Sequence, residues 1–386
     1  MKFYKGLLSA AMALTLTVSI PAVNASAFSV SNDTALSEIS SKKGPYLADL
    51  ESAADYLRAA IKNREKNIFF SLPAEFINDS DFYEIVELAL LETDNSDEGD
   101  YLRKSIDEIN CQRATDTQRC YYTYYVSYIV SAEQEKYITE QVDVILDELG
   151  VSGLSDYGKV CAIYEYIINN IEYRFDSVEN DHFTAYGALK NGEAVCQGLT
   201  QLFYRLAKEA GLSCRMVFGL TTDAHAWNIV ELDGLYYACD ATYDIFCTRI
   251  DDCNYFLKGF QDFDEYDSEI IHVPGKPEEA DPLNLDYTSK EFISQHRMAA
   301  TAYKLSYGKG DVNGDGVVDS TDASLVMAEY ARYSTAVPNA FSVGQKLAAD
   351  VNDDETIDSS DASSILAYYS FVSTGGKSSI EDYLRR

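Results

Sequence analysis

The stretch that decides the fold of the middle of the chain reads GEAVCQGLTQLF (192–203), DAHAWNIVELDG (223–234) and LYYACDATYD (235–244). Cys196, His225 and Asp240 stand in this order within it. A free cysteine thiol has a pKa of roughly 8.5, so a nucleophilic cysteine needs a neighbouring imidazole and a favourable helix position to be a thiolate at neutral pH. The three residues follow the order of a cysteine nucleophile, its base and an orienting carboxylate.

The sequence after Cys196 predicts a helix. Apolar residues recur there at spacings of three and four, and the set is Leu199, Leu202, Phe203, Leu206, Ala207 and Ala210. Gly211 then stands where a helix is expected to end. Cys196 therefore falls in the first turn, where free N–H groups and the positive end of the helix dipole favour a thiolate by about 0.3–1 kcal/mol.

The other two residues fall on a predicted β-hairpin. Asp233-Gly234 is a strong signal for a two-residue turn between strands at 224–232 and 235–240. Because side chains alternate across a strand, this register places His225 and Asp240 on one face as diagonal neighbours. Counting outward from the turn gives two facing pairs: Trp227 with Asp240, and His225 with Thr242.

Two other interpretations of these residues compete with a nucleophilic site. Taken singly, a cysteine, a histidine or an aspartate is most often structural, and only their joint placement reverses that expectation. A zinc site built from Cys196, His225 and Cys239 is a weaker competitor, because the sequence has no CxxC or HxxxH pairing.

Residues from about 157 to 255 resemble the bacterial transglutaminase-like superfamily. The matching pieces are FTAYGALKNGEAVCQG, HAWNIV and YACDATYD. The resemblance implies an α+β fold with a papain-like core, in which a thiol-bearing helix packs on a small antiparallel sheet. It implies Cys196 as the nucleophile, His225 as the base and then the acid, and Asp240 as the residue that orients His225.

One departure from that family concerns the oxyanion. Eukaryotic members use a tryptophan upstream of the cysteine, whereas the only tryptophan here is Trp227, within the histidine motif. By analogy the backbone N–H of Cys196 contributes one donor. Tyr186 and His182 are the side-chain candidates for the second donor.

Two calcium-type loops stand near the end of the chain, DVNGDGVVDSTD (311–322) and DVNDDETIDSSD (350–361). Their spacing matches the EF-hand loop, with oxygen ligands at positions 1, 3, 5, 7, 9 and 12. The predicted ligands of two Ca²⁺ ions are Asp311, Asn313, Asp315, Val317 (carbonyl), Asp319 and Asp322, then Asp350, Asn352, Asp354, Thr356 (carbonyl), Asp358 and Asp361. Glu355 replaces the glycine of position 6, which is strained if that position needs a positive φ.

Each loop precedes a short apolar-periodic helix, predicted at 323–331 and 362–371. Two such half-hands resemble the dockerin domain, a small all-α module that attaches cellulosomal enzymes to the cohesin modules of a scaffoldin. The resemblance implies that residue pairs after position 9 contact cohesin. In this sequence the pairs are Ser320 with Thr321 and Ser359 with Ser360.

The first residues predict export. Lys2 and Lys5 precede the apolar run 7–20, and Ala25-Ser26-Ala27 is a small-residue cleavage site. We therefore expect a signal peptide at 1–27 and a secreted, extracellular protein of the cellulosome. No later apolar run has the length of a membrane span, which predicts release and not anchoring.

Charge and cysteine content narrow the function further. The net charge is −32, from 63 acidic and 31 basic residues, and it argues against nucleic acid and anionic membranes as partners. Eight cysteines in an exported chain suggest disulfides, but a free Cys196 leaves seven, which cannot all pair. Candidate pairs are Cys111 with Cys120 and Cys247 with Cys253. The cysteines expected as buried free thiols are Cys161, Cys214 and Cys239.

These signals divide the chain into domains. Residues 28–150 are expected to form an N-terminal α/β region of unknown role, with helices near 46–63 and 132–149 and strands at IFFSL and CYYTYYVSYIV. The tyrosines of that region are expected to fill a core more than to line a groove. The catalytic core follows at 151–271, a proline-marked linker at 272–308 and the dockerin at 309–386.

Three functions remain open from the sequence. A thiol hydrolase forms an acyl-enzyme at Cys196 on a peptide or protein amide bond and releases it to water. A transglutaminase passes the same acyl group to an amine and crosslinks proteins. A silent binding module has only its dockerin as a defined activity. We favour the hydrolase, because water is the abundant acceptor for a secreted enzyme unless the groove excludes it.

Overall fold

The computed structural model describes residues 28–31, 40, 42, 44–76, 78, 80–174, 180–277, 281–304, 307–335, 341 and 343–385. The chain divides into two compact units, Met1–Tyr303 and Lys304–Arg386. The predicted signal peptide at 1–27 lies outside the described residues. Within them, every helix is too short or too polar to cross a bilayer.

The first unit begins with a four-stranded sheet in the order β1-β3-β4-β2. Its strands are β1 (Phe28–Ser31), β2 (Asn67–Pro73), β3 (Ile106–Thr115) and β4 (Arg119–Tyr128). Strand β1 pairs parallel to β3, and the other neighbours are antiparallel. The helices of this region are α1 (Leu50–Lys62), α2 (Asp81–Ala89) and α3 (Gly99–Ser105).

The tyrosine-rich strand β4 fills a core, as the sequence predicted. Tyr122 and Tyr124 are almost fully buried and stack against Phe70 of β2. Helix α1 covers the same core with Leu57 and Ile61. One face of β4, with Tyr122 and Tyr124, is therefore buried in the core, whereas Tyr121 and Tyr125 on the other face are only half-buried.

The centre of the unit surrounds the motifs with helices and a second sheet. Its helices are α4 (Ala132–Leu149), α5 (Asp156–Asn170), α6 (Ala185–Asn191), α7 (Cys196–Glu209), α8 (Ala241–Asp244) and α9 (Lys290–Gln295). Its strands are β5 (Glu172–Tyr173), β6 (Glu193–Ala194), β7 (Cys214–Leu220), β8 (Ala224–Leu232), β9 (Leu235–Cys239) and β10 (Val273–Pro274).

The thiol-bearing helix packs on an antiparallel sheet, as predicted. The sheet order is β10-β7-β8-β9, and its neighbouring strands are all antiparallel. Leu202 and Leu206 of α7 share one apolar cluster with Met216 of β7 and Val230 of β8. The α+β class with an α-helical C-terminal module is confirmed.

The segment expected as a linker, 272–308, is largely part of the first unit. Val273 pairs with Leu220 at the edge of the second sheet, and Leu283 is buried in the N-terminal core. Lys104 of α3 donates to the carbonyl of Leu283 at 2.9 Å. The linker prediction is therefore wrong over most of its length, because Pro274 lies in strand β10 and Pro282 in a turn beside the buried Leu283.

The N-terminal region and the region around the Cys196 motifs form one unit and not two separate domains. The guanidinium of Arg215 on β7 makes two hydrogen bonds of 2.8 Å to the carboxylate of Asp100 on α3. The Nε2 atom of His296 lies 2.7 Å from the same guanidinium. A buried, bidentate ion pair of this kind fixes the two regions against each other.

The second unit contains α10 (Ser320–Ser334), α11 (Val343–Ala349), α12 (Ser359–Ser373) and α13 (Ile380–Leu384). Helices α10 and α12 contact each other around Val326 and Ile365. Both begin three residues before the apolar pattern that predicted them, because the loop aspartates Asp319 and Asp358 cap them.

Candidate active site and calcium loops

Cys196 is the first residue of α7, as predicted. Val195 before it has an extended backbone, so the helix begins abruptly at the thiol. The side chain is buried, with 7% of the residue exposed. Burial and the nearby Cys196 raise the pKa of Tyr173 well above its usual value, and Cys196 also interacts with the ring of His225. The positive end of the helix dipole therefore acts on this sulfur.

The hairpin carries the predicted register. Leu232 pairs with Leu235 across a turn whose two residues, Asp233 and Gly234, have φ of 54° and 76°. Both positive angles are those of the tight turn that matches the strand twist. The last pair of the ladder joins Asn228 and Cys239.

The ladder ends sooner than the count from the turn predicted. Strand β9 stops at Cys239, and Asp240 instead caps α8 by accepting from the backbone N–H of Thr242 at 2.9 Å. Thr242 therefore lies in a helix and does not pair with His225. Asp240 still reaches His225, because a capping carboxylate projects from the end of the strand.

The central contact of the site joins His225 and Asp240. Nε2 of His225 lies 2.6 Å from Oδ2 of Asp240, and both side chains are buried. Burial alone lowers the pKa of His225, but the charge and hydrogen bond of Asp240, together with the thiol, raise the pKa to about 10. The ring is held as a cation beside the sulfur.

A second histidine, which the sequence analysis missed, binds the same carboxylate. Nε2 of His272 lies 3.0 Å from Oδ2 of Asp240, and Nδ1 of His272 lies 2.7 Å from Oδ1 of Asp264. The ring stacks on Phe263 with the centroids 4.0 Å apart. Burial raises the pKa of Asp240, but the two histidines outweigh it and lower the pKa well below its usual range.

A signal for His272 exists in the sequence. The chain has four histidines, and this one interrupts an apolar run, IIHVP, that is too short to predict a helix. A lone histidine in such a run is ordinarily structural. Its contact with Asp240 depends on the pairing of Val273 with Leu220, which brings a distant segment beside β7.

His225, Asp240 and His272 also have the composition of a metal site. The 2.6 Å and 3.0 Å separations are those of direct hydrogen bonds to one oxygen. The groups of close metal-ligand atoms among the described residues do not combine Cys196 with Cys239. Cys239 instead lies in the apolar core beside α7.

The two side-chain oxyanion candidates each have another neighbour. Tyr186 packs edge-on against Tyr137 on α4, and the ring of His182 lies 3.7 Å from the carboxylate of Glu193. Tyr173 on β5 is a side chain that lies close to Cys196. The pairing of β5 with β6 places it there, since Tyr173 stands opposite Ala194.

The first calcium-type loop is folded around its carboxylates. Asp311 accepts from the backbone N–H groups of Gly314, Asp315 and Gly316 at 2.8–3.1 Å. Asp322 accepts from those of Val312, Asn313 and Asp319 at 2.8–3.0 Å. Burial raises the pKa of Asp311 and of Asp322. This set of hard oxygen donors fits a Ca²⁺ ion.

The second loop repeats this arrangement without glycines. Asp353 and Glu355 have φ of 60° and 64°, where Gly314 and Gly316 have 76° and 81°. Position 6 therefore does need a positive φ, so the backbone of Glu355 is strained there. Asp350 accepts from the backbone N–H groups of Asp354 and Glu355, which keeps the loop in the same shape.

The predicted cohesin-contact residues begin the two helices. Ser320 and Ser359 are the first residues of α10 and α12, and Thr321 and Ser360 follow them. The backbone N–H groups of Thr321 and Ser360 donate to the capping aspartates at 2.6 Å. All four side chains are exposed.

The cysteines are all free thiols in this structure. The sulfurs of Cys247 and Cys253 lie within 4.8 Å of each other. The strand register places Cys120 opposite Thr115 and Cys111 opposite Tyr124, so a link between Cys111 and Cys120 does not join facing residues. Cys214 and Cys239 are buried as expected, and Cys161 is half-buried.

Comparison with known families identifies two domains. Residues 146–241 match the transglutaminase-like superfamily, and residues 309–368 match the dockerin type I domain. A transglutaminase-like domain and a dockerin type I domain are therefore present. Dockerin type I domains bind calcium, and the domain implies a cohesin partner and association with an extracellular cellulosome.

Individual proteins match over shorter lengths. Kyphoscoliosis peptidase of Mus musculus is 30% identical over 105 residues, 23% of this chain and 16% of the relative. The Homo sapiens protein of the same name is 28% identical over 118 residues, which are 26% of this chain and 18% of the relative. The chain thus spans less than a fifth of the length of these relatives. A crystal structure of a TGase shares 13% sequence identity with this chain. The match covers 48% of this chain and 56% of the TGase chain, with a TM-score of 0.26.

Proposed function

We propose that the protein is a secreted, cellulosome-associated thiol enzyme that acts on amide bonds of peptides or proteins. Cys196 is the nucleophile, His225 the base and then the acid, and Asp240 the residue that holds the imidazole. The observation that carries this proposal is the buried 2.6 Å contact between His225 and Asp240 at the helix start that bears the thiol. The similarity to two peptidases by name is consistent with it.

The geometry supports a two-stage reaction. The Cys196 thiolate attacks the amide carbonyl, and the resulting oxyanion lies near the backbone N–H of Cys196. Imidazolium His225 gives its proton to the departing amine, which leaves a thioester on Cys196. Neutral His225 then takes a proton from the acceptor as it attacks the thioester, and the thiolate–imidazolium pair is restored. With water as the acceptor the net reaction is hydrolysis.

A transglutaminase uses the same first stage and an amine in the second. Asp240 and His225 serve both reactions equally, so the acceptor is the property to be tested. We favour water, as the abundant acceptor outside the cell.

Mass spectrometry of a peptide library treated with the protein and with Cys196→Ala tests the proposal. The mixture contains Ca²⁺, a reductant and a tagged primary amine. New peptide ends that depend on Cys196 are the expected products, whereas amine adducts identify a transglutaminase. Identical libraries from the two proteins would mean that the domain is catalytically silent.

We also propose that the C-terminal unit attaches this enzyme to cohesin through its calcium-loaded loops, with Ser320, Thr321, Ser359 and Ser360 at the contact. The clustered carboxylates of each loop repel one another unless a cation lies between them, so calcium and folding are coupled. Excess chelator is expected to unfold residues 309–386 and to abolish binding to cohesin. Cohesin affinity that survives chelation, measured by calorimetry, would contradict this part of the proposal.

A further inference from the structure

Asp240 is shared by two imidazole rings. His225 and His272 both direct Nε2 at the same oxygen of Asp240, at 2.6 Å and 3.0 Å. On its far side, His272 directs Nδ1 at Asp264 at 2.7 Å, and its backbone N–H lies 3.3 Å from both oxygens of Asp264. The histidine is thus held between two carboxylates.

This arrangement limits the hydrogen bonds that His272 can make. A neutral imidazole has one N–H and one lone pair, so it donates to only one of two carboxylates. The other carboxylate then faces a lone pair at hydrogen-bond distance. With a proton on each nitrogen, the ring donates to Asp240 and Asp264 together, and a cation lies between two anions.

The surroundings of His272 favour a fixed ring. Its side chain is 2% exposed. Phe263 stacks on one face at 4.0 Å between centroids, and Trp227 approaches edge-on at 5.0 Å. Five titratable groups face the ring. They are Asp240 after β9, His225 on β8, Tyr243 on α8, and Tyr255 and Asp264 on the segment after α8.

The geometry points to His272 as a second, positively charged histidine that positions Asp240 against His225 and, backed by Asp264, favours the thiolate of Cys196. It does not touch the reacting atoms, so it is a positioning residue. This inference rests on the proposed role of the Cys196–His225 pair. A cation on the far side of Asp240 eases the loss of a proton from the thiol, because the resulting negative charge is stabilised through the site.

Nuclear magnetic resonance of the histidines tests the charge directly. The chain has four histidines, so the long-range ¹H–¹⁵N signals of each ring can be assigned with single substitutions. We expect both nitrogens of His272 to show the protonated shift at pH 7, and Asp264→Asn to convert one of them to the lone-pair shift. A neutral ring in the unmodified protein at pH 7 would overturn the inference, whatever the substitutions do.

The functional test is the pH dependence of Cys196 alkylation by iodoacetamide. His272→Gln keeps a side-chain N–H donor but removes the positive charge. We expect the midpoint of the alkylation profile to move upward by about one pH unit, because deprotonation loses a nearby cation. His296→Gln is the matched control, since His296 is equally buried and its ring packs on Phe292 at 4.2 Å, away from Asp240. We expect it to leave the midpoint in place.

The outcomes separate this inference from the proposed function. A profile that is identical in the unmodified protein and in His272→Gln would show that His272 only fills space. A Cys196 whose alkylation ignores His225→Gln would instead remove the thiol–imidazole pair, and with it the proposed enzyme. If the alkylation profile shifts but the protein processes no peptide, the inference about His272 stands and the proposed substrate class is wrong.

Discussion

The Oδ2 atom of Asp240 lies 2.6 Å from the Nε2 atom of His225, although the strand that carries Asp240 ends one residue before it. The carboxylate therefore serves two purposes, as the cap of α8 through Oδ1 and as the partner of the imidazole through Oδ2. A single aspartate joins the end of the hairpin to the ring of His225.

Asp240→Asn is expected to slow the alkylation of Cys196 at pH 6 by at least about tenfold. Without the carboxylate, burial dominates and lowers the pKa of His225, so the imidazolium and its thiolate partner are lost. Stopped-flow alkylation with iodoacetamide measures this. Asp233→Asn, at the turn of the same hairpin, removes an equal charge and should leave the rate unchanged. Equal rates for the two variants would exclude Asp240 from the site.

The charge on His225 also predicts a pH dependence of stability. The folded-state pKa of about 10 lies above the ordinary value of 6.5, so the folded protein holds this proton more tightly than the unfolded chain. The stabilisation is complete below about pH 6.5 and is lost as the pH rises towards 10. Urea unfolding followed by Trp227 fluorescence at pH 6 and pH 10 should show a larger loss in the unmodified protein than in His225→Gln. Parallel losses would contradict the assignment.

Tyr173→Phe is expected to reduce the rate of acyl-enzyme formation by about 100-fold, the usual effect of removing one oxyanion donor. The reason is that the Tyr173 hydroxyl lies close to Cys196, so it is placed to donate to the oxyanion that forms there. Single-turnover kinetics on a peptide identified with the library measure this rate. Tyr186→Phe is the control, because that ring packs against Tyr137. A faster Tyr173→Phe enzyme would mean that the hydroxyl blocks the site.

Glu355→Gly is expected to strengthen calcium binding by the second loop. A non-glycine residue with φ of 64° is strained by about 1 kcal/mol, and glycine adopts this angle freely. Calorimetry with Ca²⁺ measures the two sites. Glu355→Gln removes the charge but keeps the strain, so it should not tighten binding. If both variants bind calcium alike, charge and not backbone strain sets the affinity.

Cys247 and Cys253 are expected to be the first thiols to form a disulfide in a Cys196→Ala background. Their sulfurs lie within 4.8 Å, and a hydrogen bond from Cys253 lowers the pKa of Cys247. Attack of the Cys247 thiolate on oxidised glutathione, followed by Cys253, closes the bond and releases two glutathione thiols. Peptide mapping identifies the product. Cys111 and Cys120 should stay reduced, since burial raises the pKa of both; a link between them would contradict the prediction.

Much of the site was predictable because its signals are local. The period of apolar residues after Cys196 predicted α7, and Asp233-Gly234 predicted the turn and register of the hairpin. The calcium-type loops were predictable for the same reason, since a twelve-residue loop carries its own ligands. The φ of Glu355 followed from its position in the repeat.

The contacts that cross the chain were not predictable in this way. His272 meets Asp240 across 32 positions because β10 joins the edge of β7. Tyr173 meets Cys196 because two-residue strands pair side by side. The expected linker is folded because Leu283 is buried in the N-terminal core and Val273 pairs with β7.

The sequence by itself determined the order of nucleophile, imidazole and carboxylate, the helix that bears the thiol and the ligand pattern of both calcium loops, because these depend on residues a few positions apart. Only the tertiary structure decided which second histidine shares Asp240 and which hydroxyl lies close to Cys196. Those contacts join segments whose spacing along the chain carries no signal, and packing of the sheets and buried charges brings them together.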